Sequence, residues 1–244
     1  GMTANELLAW VRFGGGQALF DELGAQFDVK PLLCCSTGMQ MGGWFVKEID
    51  SPDAFKGLRY RMAEPGAEVL RRLGATVVLV PGAQIVQSLR SGAIDACEWI
   101  GPWLDSAMGL HQVARFYYYP GWQEPGTALT LGINRRVWDS LDPADQRLIE
   151  TAAASEYAVS LAEFNANNAL ALRRFRAEGV VQFRSFDAAT LRALADVSRQ
   201  VVAESGSGDA LSRKIHRSYS EFQSTVRNWS EIGEGEYLRV RGSG

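Results

Sequence analysis

Between Leu58 and Trp99 the chain alternates short apolar runs with short helical patterns, and this alternation leaves few folds open. Leu58 to Met62 reads as a strand, Pro65 to Leu73 as a helix stopped by Gly74, and Thr76 to Val80 as a second strand. Ala83 to Arg90 then reads as a helix stopped by Gly92, and Ile94 to Trp99 as a third strand. Strand–helix repeats with short connections make a parallel sheet covered by helices, an α/β architecture. In such sheets ligands bind beyond the carboxyl ends of the strands. Arg61, Pro81 and Glu98 fall near those ends.

The flanking sequence extends this frame. Residues 3–28 read as helical, broken at Gly14-Gly15-Gly16, because glycine is too flexible for a helix interior. Pro31 to Cys35 reads as a short strand, Ser36 to Gly43 as a Gly-rich loop, and Trp44 to Glu48 as a strand. Ser51 and Pro52 have the character of a helix cap and first helical residue. Residues 116–122 and 127–133 read as two further strands. Asp142-Pro143 then starts a helix that runs to about Ala177 and closes at Gly179. Further helices follow Phe186-Asp187 to about Glu204, and a last one runs from Ala210 to Ile232 after Ser205-Gly206-Ser207-Gly208. No internal repeat is visible.

Composition removes several functional classes. A net charge of −3 without a Lys/Arg run gives no electrostatic footprint for nucleic acid or an anionic membrane. No apolar stretch reaches the roughly 18 residues of a membrane span. The first residues, Gly1 to Glu6, lack the basic and apolar regions of a secretion signal. Three cysteines, Cys34, Cys35 and Cys97, are an odd number, and adjacent cysteines seldom pair, so at least one thiol is expected free. With no CxxC pair and only His111 and His216, a zinc-type site is not expected.

Two segments concentrate the chemistry. Ala96-Cys97-Glu98-Trp99-Ile100-Gly101-Pro102 and Tyr117-Tyr118-Tyr119-Pro120-Gly121-Trp122-Gln123-Glu124 each end an apolar or aromatic run with an indole and an acid. A carboxylate at the end of a buried strand is costly unless a cation sits against it. Two such acids suggest a site that holds a cation and, through it, a small anion. Each residue also has a plainer reading: a solvated or ion-paired Arg61, an exposed loop acid at Glu124, a turn residue at Gln40. Trp44, Trp99, Trp103 and Trp122 can simply be core.

Read together, Thr37-Gly38-Met39-Gln40-Met41-Gly42-Gly43-Trp44-Phe45, Lys56-Gly57-Leu58-Arg59-Tyr60-Arg61, Ser88-Leu89-Arg90-Ser91-Gly92-Ala93-Ile94-Asp95-Ala96-Cys97-Glu98-Trp99 and Tyr117-Tyr118-Tyr119-Pro120-Gly121-Trp122 resemble the solute-binding proteins of TRAP transporters. The resemblance is to the branch that binds 2-oxo acids and other small carboxylates, and it runs from about Thr3 to the C-terminus.

The resemblance implies a two-lobed, periplasmic-binding-protein-like α/β fold with parallel-rich sheets, hinge strands and long C-terminal helices. On that pattern residues 1–44 are a remnant of lobe one and 45–115 form lobe two. Residues 116–142 supply hinge strands and the return to lobe one, and 143–244 the helices that span both lobes. The family's carboxylate grip falls on Arg61. Its metal ligands fall on Gln40, Glu98, Trp99 (through the backbone carbonyl) and Glu124, with Gln40, Trp99 and Trp122 also placed against the ligand. Gln123 and Pro125 depart from the commoner aromatic and glycine. The implied setting is periplasmic, with TRAP membrane subunits as partners. A complete member would carry on the order of a hundred more N-terminal residues, secretion signal included, so lobe one is expected to be incomplete. Apolar stripes in 143–178 and 210–232 suggest a homodimer through the long helices.

Formal charge bears on the cation. Glu98, Glu124 and a ligand carboxylate together oppose the single positive charge of Arg61. Like charges about 4 Å apart repel by roughly 4 kcal/mol even at an effective dielectric of 20. Oxygen ligands select a hard ion. The family pattern gives sodium, and the charge count keeps calcium as the alternative.

An enzyme is not expected. No GxSxG or phosphate-loop pattern is present, and nothing identifies a histidine that activates Cys97. Glu98 and Glu124 as the acids of a metal-dependent hydrolase, or a non-transporting sensory or remnant domain, are the alternatives.

Overall fold

The computed structural model describes residues 1–242. The expected N-terminal helix is two helices, α1 (Ala4–Phe13) and α2 (Gly16–Ala25), parted where Gly15 takes a φ of +82°. Thr3 and Glu6 cap α1 reciprocally. Strands β1 (Val29–Gly38), β2 (Gly43–Phe45) and β3 (Arg59–Arg61) follow. Helix α3 (Gly66–Arg72), strand β4 (Thr76–Val78), helix α4 (Ile85–Arg90) and strand β5 (Ala96–Cys97) complete the alternating segment. Beyond it lie α5 (Pro102–Met108), β6 (Phe116–Tyr119), β7 (Thr127–Asn134) and α6 (Arg135–Ser140). The chain closes with α7 (Pro143–Glu178), β8 (Gln182–Ser185), α8 (Ala188–Ser205), α9 (Ala210–Ser230) and α10 (Glu236–Arg241).

Several boundaries differ from the sequence reading. The strand expected over Pro31–Cys35 continues through Ser36, Thr37 and Gly38, because β7 pairs with it across that length. The strands expected over 44–48 and 94–99 shrink to three and two residues, since their ends turn away to form loops. Ser51 makes no cap bond; its hydroxyl donates to Asp50 instead, and Pro52–Phe55 is one 3-10 turn. Helix α5 and strand β8 were not expected. The long helix is as expected: Asp142 accepts from the amides of Ala144 and Asp145, and Gly179 closes it at φ +66°. Its 36 residues span about 54 Å.

Six strands form one sheet in the order β4-β3-β5-β2-β6-β8. The pairings β4–β3, β3–β5 and β6–β8 are parallel, while β2 runs antiparallel to both β5 and β6. Strand alternation sends neighbouring side chains to opposite faces. Phe45, Tyr60, Ala96 and Tyr118 join the core on the α3 and α8 side. Trp44, Cys97 and Tyr117 face the other way, toward Ile85, Leu89, Leu110 and Phe175. Strands β1 and β7 make a separate antiparallel ribbon. The first half of α7 packs there through Ala153 and Tyr157, and its last turns, through Phe175, enter the core of the six-stranded sheet. No helix among the described residues is long and apolar enough to cross a membrane.

Candidate functional site

Two sheets deliver the candidate residues to one seam. Strand β3 ends at Arg61, and β5 ends immediately before Glu98, so both lie at carboxyl ends of parallel strands. The β1–β7 ribbon brings the other side: Gln40 follows β1 by two residues and Glu124 precedes β7 by three. Backbone bonds fix the segments on each side and, at Met41, join them. The Gln40 amide donates to the Glu124 carbonyl (3.3 Å), the Met41 amide to the Ile100 carbonyl (3.1 Å) and the Gly42 amide to the Tyr118 carbonyl (2.8 Å). Gly121 approaches so closely that a Cβ there would lie 2.2 Å from the Gln40 carbonyl oxygen, and only glycine fits.

Arg61 and Glu98 are in direct contact and both largely buried. The Arg61 Nη1 donates to the Glu98 carboxylate and, at 3.1 Å, to its backbone carbonyl; Nε donates to the Val80 carbonyl at 3.3 Å. Nη2 has no partner among the described residues. The guanidinium lies 5.4 Å from the centre of the Trp99 ring. Trp99 in turn rests on Gly82, where a Cβ would meet its ring at 2.7 Å.

Glu98 is 5% exposed. Burial pushes its carboxyl up to about 7, against the opposing pull of Arg61 and with a further push from the charge of Glu124. Gln40, 4% exposed, donates through Nε2 to the Glu124 carboxylate (2.5 Å) and to the Thr127 hydroxyl (2.9 Å). The Thr127 hydroxyl also donates to Glu124, at 2.9 Å. The Gln40 Oε1 is buried with no partner. Such an oxygen is what a hard cation takes. No group of three His, Cys, Asp or Glu side chains suited to a metal exists among the described residues. The acids and amide at this seam, with a backbone carbonyl, fit a hard cation of mixed oxygen coordination.

Gln40, Glu124, Arg61, Glu98 and Trp99 therefore meet along one seam. Trp122 is placed differently: it packs against the α3–α8 core, and its buried indole N–H has no partner. Two contributors were missed. Thr127 ties Gln40 to Glu124, and its position as the polar residue opening a strand was the available signal. Asp105, 1% exposed in α5, accepts from the Ile100 amide (3.1 Å), the Trp44 indole (2.8 Å) and the Tyr117 hydroxyl (2.6 Å). It thereby fixes the loop that carries Glu98 and Trp99. Burial lifts its carboxyl to about 6 despite those donors. A lone acid in an apolar helix gives no sequence cue to this role.

Residues 1–209 match the family described as bacterial extracellular solute-binding protein, family 7 (DctP). A curated Nostoc sp. (strain PCC 7120) protein named as a monocarboxylate 2-oxoacid-binding periplasmic protein is 36% identical over 237 residues, 97% of this chain. The chain spans 65% of that relative's length. A TRAP solute-binding protein of Pseudoalteromonas atlantica, solved with sodium and pyruvate, is 35% identical with a TM-score of 0.91, covering 98% of this chain and 73% of that one. Another from Bordetella bronchiseptica, a dimer with copurified calcium and picolinate in one site, is 32% identical with a TM-score of 0.94, covering 100% and 72%. The chain belongs to family 7 of the bacterial extracellular solute-binding proteins, the TRAP transporter binding proteins that its sequence motifs and two-sheet α/β fold point to.

Proposed function

We propose that this chain captures a small carboxylate, a 2-oxo acid such as pyruvate, together with a bound cation, and offers it to TRAP membrane subunits. The buried contact of Arg61 with Glu98, beside an unpaired Gln40 oxygen and a second acid, carries this reading. Gln40, Glu98, the Trp99 carbonyl and Glu124 hold the cation in this proposal. A cation there supplies positive charge that offsets the two carboxylates and attracts ligand oxygens. Arg61 takes the ligand carboxylate through Nη2, while Nη1 stays on Glu98. A planar guanidinium suits a carboxylate better than any other side chain. Trp99, whose ring lies over Arg61, walls the ligand. The relatives solved with sodium and with calcium support sodium, with calcium as the alternative.

The division into lobes is part of the same proposal: a lobe-one remnant in 1–44, lobe two in 45–115, hinge strands in 116–142 and spanning helices in 143–244. So is a homodimer through the long helices. Leu148, Val159 and Leu170 are exposed and eleven residues apart, about three turns, so they form one apolar row along α7.

Calorimetric titration of pyruvate as a sodium-free salt into the chain, first in sodium-free buffer with chelator and then with sodium or calcium restored, tests the function. Binding that requires the cation is the expected result. Equal binding in chelator, or none in any buffer, refutes it.

A further inference from the structure

Away from the seam, β1 contains a feature the binding site does not use. Its pairing with β7 slips between Leu33, opposite Thr130, and Cys35, opposite Leu129, so Cys34 is the extra residue of a bulge. In a regular strand adjacent side chains point to opposite faces. A bulge re-aims one of them. Here the slip falls at the cysteine pair itself, so Cys34 and Cys35 are released from strict alternation and can share one side of the strand, and the Cys34 Sγ donates to the Leu129 carbonyl at 3.7 Å. Both cysteines are free and half-buried, so they are open to a small reagent, whereas Cys97 is buried.

The geometry points to a dithiol site at Cys34-Cys35 that chelates one soft, thiophilic centre, a monosubstituted trivalent arsenical. A disulfide between the two is disfavoured, because consecutive Cα atoms are about 3.8 Å apart and unstrained disulfides need roughly 4.4–6.8 Å. Inserting one large atom between the sulfurs relieves that constraint. Neither zinc nor another four-coordinate metal fits, since no third His, Cys, Asp or Glu side chain completes a metal cluster among the described residues. An arsenical brings its own third substituent and takes only two sulfurs. Soft sulfur ligands match such a centre.

The reaction balances without a redox partner. Two S–H bonds of the protein and the arsenic–oxygen bond of an arsenoxide break, two arsenic–sulfur bonds form, and the oxygen leaves as water with both thiol protons. Arsenic stays trivalent throughout. Burial and the neighbouring Cys35 push the Cys34 thiol up to about 11, so it is held as a thiol.

The test uses phenylarsine oxide on the full chain, read by intact mass after washing, with circular dichroism to confirm that each variant is folded. The expected result is one phenylarsine adduct per chain that survives excess 2-mercaptoethanol and is removed by 2,3-dimercaptopropanol. Cys34→Ser and Cys35→Ser each lose the monothiol-resistant adduct completely, and Cys97→Ser keeps it. No adduct on the native chain, an adduct washed off by monothiol, or one retained in either serine variant of the pair overturns the proposal.

Discussion

Asp105 sets two physical effects against each other, and a pH series separates them. Three donors converge on its carboxylate, which favours the ionised form, while full burial favours the neutral acid. Burial wins, holding the folded value at about 6 against an ordinary value near 3.8. Between those two pH values the folded state binds more protons than the unfolded chain, so its contribution is full in acid and is lost as pH rises through 6. Two pKa units correspond to about 3 kcal/mol, at 1.36 kcal/mol each. Asp105→Asn has nothing to titrate there. Its amide oxygen still accepts from Trp44 and Tyr117, but its NH2 faces the Ile100 amide, at a cost of about 1–3 kcal/mol for the orphaned donor. In urea titrations followed by far-UV circular dichroism, wild type should therefore lead the variant by more at pH 4 than at pH 7.5, the gap closing by about 2–3 kcal/mol. A gap that stays constant, or widens as pH rises, would falsify the reasoning and show that the three donors outweigh burial.

Glu98→Gln should weaken sodium or calcium binding and pyruvate binding together in calorimetry; pyruvate affinity at the wild-type level in metal-free buffer would separate the two sites. Arg61→Ala leaves Glu98 buried without its partner, and should reduce pyruvate affinity by a factor of at least about a hundred, or roughly 3 kcal/mol, with loss of thermal stability too. Unchanged affinity would remove Arg61 from the site. Gly121→Val drives a side chain into the Gln40 backbone, so cation binding should fail while the far core, reported by hydrogen exchange at Tyr157, stays protected; normal cation affinity would contradict the close approach. Leu148→Lys with Val159→Lys should move any dimer seen by light scattering to monomer, and an unshifted dimer would place the interface elsewhere.

The alternating core was legible because strand and helix periods, and the glycines that stop them, are local properties of the sequence. Arg61, Glu98 and Glu124 stood out for the same reason, since charge at the end of an apolar run is visible in one dimension. What was not legible is long-range. Strand β8 is only Gln-Phe-Arg-Ser, and it is a strand because Phe116–Tyr119 offers it a parallel edge. The extension of β1 through Ser36–Gly38 likewise comes from β7, some ninety residues later. Thr127 and Asp105 act by holding other residues, and no pattern in sequence marks a hydroxyl or acid whose partners lie far along the chain.

The placement of the two acids explains why a cation would matter mechanically as well as chemically. Glu98 belongs to the six-stranded sheet and Glu124 to the ribbon side, and the charge of Glu124 disfavours the ionised form of Glu98 across the seam. With the site empty, the contacts that oppose this repulsion are backbone bonds such as Met41 to Ile100, together with Arg61, which neutralises only the Glu98 side. A cation held by both acids turns a repulsive pair into a bridge between the sheets. Cation binding in the proposed site should then slow hydrogen exchange at the Met41 amide, whose bond to Ile100 joins the segment after β1 to the loop after β5, before any carboxylate is added. Exchange there that responds to pyruvate but not to the ion would mean that the ligand, rather than the cation, draws the two sides together.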